Sequence, residues 1–430
     1  MTIDSGWIKI LKKSRPGAFT ERLPAGVRPD VVFIDGQIKL MKAEFVKTWA
    51  QYLELQFERV INDAFATGAR VVVLAFDNYK HVPTAKAPTQ RRRSAAVAEL
   101  NFDAADDLPP APPQEWASAM RNRVFKSKVV ALVVRNMRHR FADARGSLVV
   151  DWKDTPDVVG APLALPPSLL DSEVQRGECD IKAFAYAHLG TMLIYSTDGD
   201  FLPLSLLHME RATKAEHDTG EPFSHKIFIH RMTTRTESTV KNARGKPKGR
   251  EYEYVNVAHL LDYLAAELKH CPSPALAFAT LVAATGCDFT MSLPQLGPIK
   301  IWRERARLGP AFALDGAKSA LLAVLTVYFH AFQRQHTLPS AHFRLTTSTS
   351  DDASMARSYG RLVESIRANN TVSARVKDAL WGVPRCLAHA RNVAWTILYW
   401  TLLDKHPDPV SGCFGFQQTK KGCVIFEAVE

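Results

Sequence analysis

Three short apolar runs, each closing on an acidic residue, constrain this chain most. VVFI at 31–34 runs into Asp35-Gly36, VVVLAF at 71–76 into Asp77, and TMLIYS at 191–196 into Thr197-Asp198-Gly199-Asp200. Continuous apolar runs of this length match strands buried on both faces, as in a parallel sheet covered by helices. Between the first two, Phe45, Trp49, Leu53, Phe57, Val60 and Ile61 recur at three and four residues, which predicts a helix from about 42 to 67. Strand, helix, strand implies an α/β fold with a right-handed crossover. Ligands of such sheets bind at the carboxyl ends of the strands. Asp35, Asp77 and Asp198 should therefore share one edge.

The rest of the chain fits around that frame. LVVDW at 148–152 and HKIFIH at 225–230 read as further strands. Residues 78–118 read as an irregular excursion, with Arg91-Arg92-Arg93, then Asp103, Asp106 and Asp107, then a proline cluster. A basic helix is expected at about 114–143, a Pro-rich loop at 155–169 and a helix from about 175 to 188. The segment 231–250 carries seven Lys or Arg with interspersed Gly and Pro, and reads as a basic loop. Helices are expected at about 256–268 and 274–285; 303–430 reads as mostly helical, with a final hairpin around 412–427.

Composition narrows the class. At roughly 100–200 residues per domain, 430 residues means two or three domains, or one large α/β domain with an extension. A hydrophobic content of 46% excludes a wholly disordered chain. The formal charge of +11 points to a polyanionic partner, nucleic acid foremost. The longest aliphatic run, VVALVV at 129–134, is far short of the roughly 20 residues that span a bilayer, so no membrane is expected. The N-terminal residues show no apolar core of a signal peptide. Six cysteines without a C-x-x-C pair argue against a zinc knuckle and fit reduced thiols in an intracellular compartment, the nucleus included. The alternative is a Cys413–Cys423 bridge across the final hairpin.

Seven acids stand where segments turn: Asp35, Asp77, Glu178, Asp180, Asp198, Asp200 and Asp288. Any one of them has an ordinary reading as a helix N-cap or turn residue. Asp198 and Asp200, two apart, point the same way in an extended segment. Glu178 and Asp180 diverge in a helix interior, so both reach one site only if Glu178 lies at or before the helix start. Two like charges at 4 Å repel by about 4 kcal/mol at an effective dielectric of about 20. Carboxylates gathered in one cleft must hold protons or a hard cation. Oxygen-only ligands suit Mg²⁺ or Mn²⁺, and a pair of such ions is the standard clamp for phosphodiester hydrolysis.

In this order the residues resemble the flap endonuclease / XPG family of structure-specific 5′ nucleases, which includes exonuclease 1. The resemblance rests on VVFIDG, on AFDN with Asp77, on Gly177-Glu178-Cys179-Asp180-Ile181 and on Thr197-Asp198-Gly199-Asp200. Its most specific part is Gly286-Cys287-Asp288-Phe289 followed by Gln295-Leu296-Gly297-Pro298-Ile299-Lys300. Gly6-Trp7-Ile8-Lys9-Ile10-Leu11 is a loose echo of the family's start. Asp180 stands where the family has Glu, and the interval from Asp200 to Asp288 is longer than in compact members.

The resemblance implies a PIN-like core: a mostly parallel twisted sheet between helices over 1–303, with an arch insertion at 78–147, the basic loop at 231–250 and a helix–two-turn–helix at 284–303. A mostly helical region follows at 304–430. It implies two Mg²⁺ ions, Mn²⁺ substituting, with Asp35, Asp77, Glu178 and Asp180 chiefly holding one and Asp198, Asp200 and Asp288 the other. Arg91 and Lys86 match the cations that hold the scissile phosphate, beside Arg92 and Arg93. Gly297 and Lys300 match a duplex-holding turn with a K⁺, where a Cβ would block close approach. The activity implied is cleavage of DNA at a 5′ flap or free 5′ end, in replication or repair, by a monomer; as a further departure from the family, no clear sliding-clamp peptide is expected in the C-terminal residues. An RNA endonuclease of the viral host-shutoff kind on the same fold, and a non-catalytic nucleic-acid-binding protein, are the alternatives. His208, His225 and His230 read as structural residues, Cys179 and Cys287 as small core residues, and Tyr79 as either a base stacker or a packing residue.

Overall fold

A computed structural model describes residues 4–41, 46–78, 80–81, 84–86, 99–171, 177–219, 226–232, 252–287, 289–290, 296–305, 330, 334, 360–361, 363–370, 372–402, 416–418 and 424–426. Its centre is one eight-stranded sheet. The strands are β1 Phe19–Thr20, β2 Val31–Asp35, β3 Val71–Ala75, β4 Ser147–Asp151, β5 Asp157–Gly160, β6 Met192–Tyr195, β7 Ile227–Met232 and β8 Tyr252–Asn256. The order across the sheet is β1-β8-β7-β6-β2-β3-β4-β5. The run β7-β6-β2-β3-β4 is parallel; β5, β8 and β1 pair antiparallel at the edges. The protein is thus an α/β protein with a mostly parallel mixed sheet.

The five parallel strands are those expected from their apolar runs. The three antiparallel edge strands are additional. Their residues are half exposed or alternate between faces, so no continuous apolar run marks them. β8 shows this: Tyr252 and Tyr254 face one side, buried Glu253 and Val255 the other. Along β2 and β3 both faces are buried, Val31, Phe33, Val71 and Val73 on one side and Val32, Ile34, Val72 and Leu74 on the other. That double burial is what the continuous apolar runs encode.

Helices cover both faces. The main ones in chain order are α1 Asp4–Ser14, α2 Gly36–Leu40, α3 Trp49–Leu53, α4 Arg59–Ala66, α5 Arg123–Arg140, α6 Cys179–Ala183, α7 Phe201–Thr219, α8 Val257–Glu267, α9 Pro274–Thr285, α10 Pro298–Arg303 and α11 Val383–Leu402. A π-helical turn, Glu54–Glu58, joins α3 to α4. The expected helix from 42 starts later among the described residues, because the Thr48 hydroxyl caps α3 by accepting from the Gln51 amide at 3.2 Å. Residues 42–45 lie outside the described set.

The expected arch differs too. α5 lies in the layer covering the sheet, with Phe125, Val129, Val130, Val133, Val134 and Met137 buried in the same core as Val72, Leu74, Leu148 and Val150. Its apolar stripe governs its position, and its cations flank that stripe. Within 304–430, the described helix α11 packs onto the core. Trp395, Tyr399 and Trp400 of α11 join the core on the other face, and the Trp395 and Tyr399 rings meet Phe289 at 5.2 and 5.3 Å. The final hairpin forms from Phe416–Gln418 and Val424–Phe426; Cys413, Cys423 and residues 233–251 lie outside the described set.

One buried ion pair ties the strand ends together. Lys182 Nζ on α6 reaches Asp151 Oδ1 at the end of β4 at 2.6 Å, and also donates to the Phe76 carbonyl at 2.9 Å. The Tyr186 hydroxyl donates to the other Asp151 oxygen at 2.8 Å. The two charged side chains are 1% and 5% exposed. Removing one partner of a buried pair strands the other charge, at a cost of about 3–5 kcal/mol. Lys182→Ala should lower unfolding stability by that amount in urea titration, and Lys182→Ala/Asp151→Ala together should cost less than the sum of the two single changes.

Candidate metal centre

In the strand order, β3 lies on one side of β2 and β6 on the other, so β2 marks the point where the chain's direction across the sheet reverses. Crevices at the carboxyl ends beside such a point are the ligand sites of open α/β sheets. Asp35 closes β2 there. It caps α2 by accepting from the Ile38 amide at 3.3 Å through Oδ1, and its Oδ2 accepts from the Ser196 hydroxyl at 2.8 Å. The next residue has to be glycine. A Cβ on Gly36 would stand 2.5 Å from both the Ala75 carbonyl oxygen and the Phe76 ring.

The other acids arrive from neighbouring strand ends. Asp77 follows β3 and accepts from the Cys179 amide at 3.0 Å. Asp198 follows β6; its amide donates to the Ser196 oxygen at 3.0 Å, and its Oδ1 accepts from the Asp200 amide at 3.1 Å. Asp200 is buried just before α7. Glu178 is the N-cap residue of α6 and Asp180 lies in its first turn. That is the placement which lets both acids reach one site.

Electrostatics shows which of these acids sense one another. Burial, then the charge of Asp198, pushes the Asp35 carboxyl from 3.8 up to about 7; the Ser196 bond opposes this and Asp77 adds to it. Burial, then Glu178, raises Asp180 well above the carboxylate range, with Lys86 opposing and Asp198 and Asp77 adding. Asp35, Asp77, Glu178, Asp180 and Asp198 therefore form one coupled set. The same burial, with Asp35 and Asp77, keeps the Cys179 thiol protonated, and its Sγ points to the Ala75 carbonyl at 3.4 Å. Cys179 is a core residue here.

Cations and a tyrosine flank the acids. Lys86 pairs with Glu178 Oε1. Lys126, near the start of α5, senses Asp77, Lys86 and Arg123, although burial is the larger influence and lowers its pKa. The Tyr399 hydroxyl on α11 donates to Glu178 Oε2 at 3.0 Å, from 221 residues away in sequence. Burial, then the charges of Glu178 and Asp180, keeps that phenol protonated. Ser196, Lys126 and Tyr399 were not singled out as site residues from sequence. Ser196 stood inside the strand-end motif and Lys126 among the helix cations, but nothing in sequence marked Tyr399.

Asp288, Arg91, Arg92 and Arg93 lie outside the described residues. Gly297 and Lys300 are described, at the start of α10. At Gly297 φ is −91°, and an added Cβ meets no described protein atom within 4 Å, so the fold itself does not require glycine there. Among the described residues, no three His, Cys, Asp or Glu side chains already stand at separations that enclose an ion. The donor set nonetheless fits a hard divalent cation. It is all carboxylate oxygen, the buried Cys179 thiol stays protonated, and the part of the Asp35 and Asp180 shifts that comes, after burial, from neighbouring carboxylates is what such a cation relieves.

No protein-family model matches the chain, and no curated protein matches it significantly. Among the described residues, no helix is long and apolar enough to cross a membrane.

Two outcomes test this electrostatic picture. An acid whose folded-state pKa is raised contributes stability below its unfolded pKa and loses it as pH rises through the folded value. For Asp35 that window runs from about 4 to about 7. Asp35→Asn in EDTA should thus melt higher than wild type at pH 8, with the gap narrowing as pH falls toward 4. Tyr399→Phe should lose about 1.5–3 kcal/mol, the worth of a hydrogen bond to a charged group, in chemical denaturation with far-UV circular dichroism unchanged.

Proposed function

We propose that the protein is a Mg²⁺-dependent 5′ nuclease with a PIN-like core, acting on DNA at junctions of single strand and duplex. The observation that carries this is the coupled set of carboxylates at the switch point of the sheet, backed by Lys86 and Lys126. Residues Asp35, Asp77, Glu178 and Asp180 would chiefly hold one ion, and Asp198, Asp200 and Asp288 a second. Bound there, such ions supply an activated water and stabilise the charge that develops on the phosphate and leaving oxygen.

The chain's own residues do the rest. Ser196 holds Asp35 and, through the Asp198 amide, sets the turn carrying Asp198 and Asp200. Tyr399 fixes one oxygen of Glu178, leaving Lys86 on the other. Lys86 and Lys126 offset negative charge at the mouth of the acid cluster, as cations do for a transferring phosphoryl group. Arg91–Arg93, the Lys and Arg residues of 235–250 and the start of α10 at Gly297–Lys300 would contact the backbone of the polyanion, which sets register without reading sequence; Arg231 is not among them, since it lies in β7 and is buried against Glu253.

A labelled 5′-flap duplex, cut with Mg²⁺ and intact in EDTA, is the direct test, run beside a matched RNA substrate. Asp198→Asn should lower the cleavage rate at least about a thousandfold, roughly 4 kcal/mol of transition-state stabilisation, while substrate affinity stays within about twofold. Near wild-type cutting by Asp198→Asn would sink the site assignment.

A further inference from the structure

Beside the acids, on the sheet face covered by α3 and α4, three adjacent strands line up aromatic rings. Tyr195 on β6 is in register with His230 on β7, and His230 with Tyr254 on β8. Tyr252, two residues along, shares the face of Tyr254. The His230 ring centroid is 4.6 Å from Tyr195, 4.6 Å from Tyr254 and 4.9 Å from Tyr252, the last stacked at 13°. Burial, then the charge of Lys39, lowers the His230 pKa to about 4, so the ring is neutral at pH 7.

This row borders a cavity of about 240 Å³, whose wall includes Tyr195, His230, Tyr252, Lys39, Asp63 and Ser196. The same Ser196 donates to Asp35. The cavity therefore adjoins the acid cluster. Its volume is below the roughly 300–1,000 Å³ of pockets for drug-sized ligands, a scale that suits one small ring system. Lys39 brings a donor and Asp63 an acceptor to rings that are otherwise neutral and flat. Packing alone does not account for Tyr252, which is 54% exposed yet held in parallel stack on His230.

We propose that this cavity receives one unstacked nucleobase of the nucleotide beside the scissile phosphate, stacked on the Tyr195–His230–Tyr252 rings. Stacking tolerates any base, since every base has a π face. It would place the reacting phosphodiester at the acids by gripping its neighbour. The inference rests on the nucleic-acid reading above, and names the subsite that positions the substrate.

The test uses the full chain in EDTA, where no cutting occurs. Flap oligonucleotides would carry 2-aminopurine at successive positions across the junction, with wild type, Tyr252→Ala and Tyr252→Phe compared. Because Tyr252 is half exposed, both variants should fold, as circular dichroism will show. Fluorescence at one or two adjacent positions should be quenched by wild type and by Tyr252→Phe, and not by Tyr252→Ala. Affinity for Tyr252→Ala should fall by about 5- to 150-fold, the range one base–aromatic stack corresponds to. An oligonucleotide that fails to bind wild type, or binds with no position sensitive to Tyr252→Ala, overturns the proposal. A parallel Mg²⁺ cleavage assay separates the two ideas. Cleavage without Tyr252-dependent quenching removes the pocket and leaves the nuclease. Quenching without cleavage removes the nuclease and leaves the pocket.

Discussion

Lys182 and Asp151 bring three chain segments to one point. Asp151 ends β4, the Phe76 carbonyl leads out of β3, and Lys182 lies on α6, two residues past Asp180. Neither charge meets water, so each is affordable only while the other is in place. The pair therefore specifies where α6 starts against the sheet. With α6 goes the position of Glu178 at its cap and Asp180 in its first turn, and the Cys179 amide that holds Asp77. Tyr186, from the same segment, completes the hydrogen bonding of Asp151. A hydrophobic contact would anchor the helix without setting its rotation; a bidentate set of directional bonds does both.

What this latch holds in place is unfavourable by itself. Burial and mutual repulsion push protons onto Asp35 and Asp180. The fold bears that cost because the surrounding sheet is buried on both faces by two helical layers. Stored repulsion of this kind marks functional sites more often than structural ones. The hydrogen bonds are apportioned so that each acid keeps one orientation: Ser196 on Asp35, the Asp200 amide on Asp198, Tyr399 on Glu178.

The C-terminal region belongs to this arrangement. α11 packs against α9 and Phe289 and delivers Tyr399 to Glu178. Its His389 Nε2 lies 2.9 Å from the Ala284 carbonyl near the end of α9. The last turn of α9 leads into the Gly286–Phe289 motif. α11 thus braces both the end of α9 and one acid of the cluster.

The sequence by itself determined the parallel centre of the sheet, since double burial demands continuous apolar runs and these are visible at 31–34, 71–76, 148–150, 192–194 and 227–229. It also put acids at the strand ends, and it required Glu178 at or before the helix start if it and Asp180 were to reach one site, the place α6 gives it. Tertiary structure alone decided the rest. The edge strands have residues that alternate or stay half exposed, so no local run betrays them. α5 joined the covering layer because its buried valines outweighed its cations. Tyr399 and the Tyr195–His230–Tyr252 row were invisible because each is a meeting of segments far apart in the chain, and period and composition are blind to contacts made only when the sheet order is set.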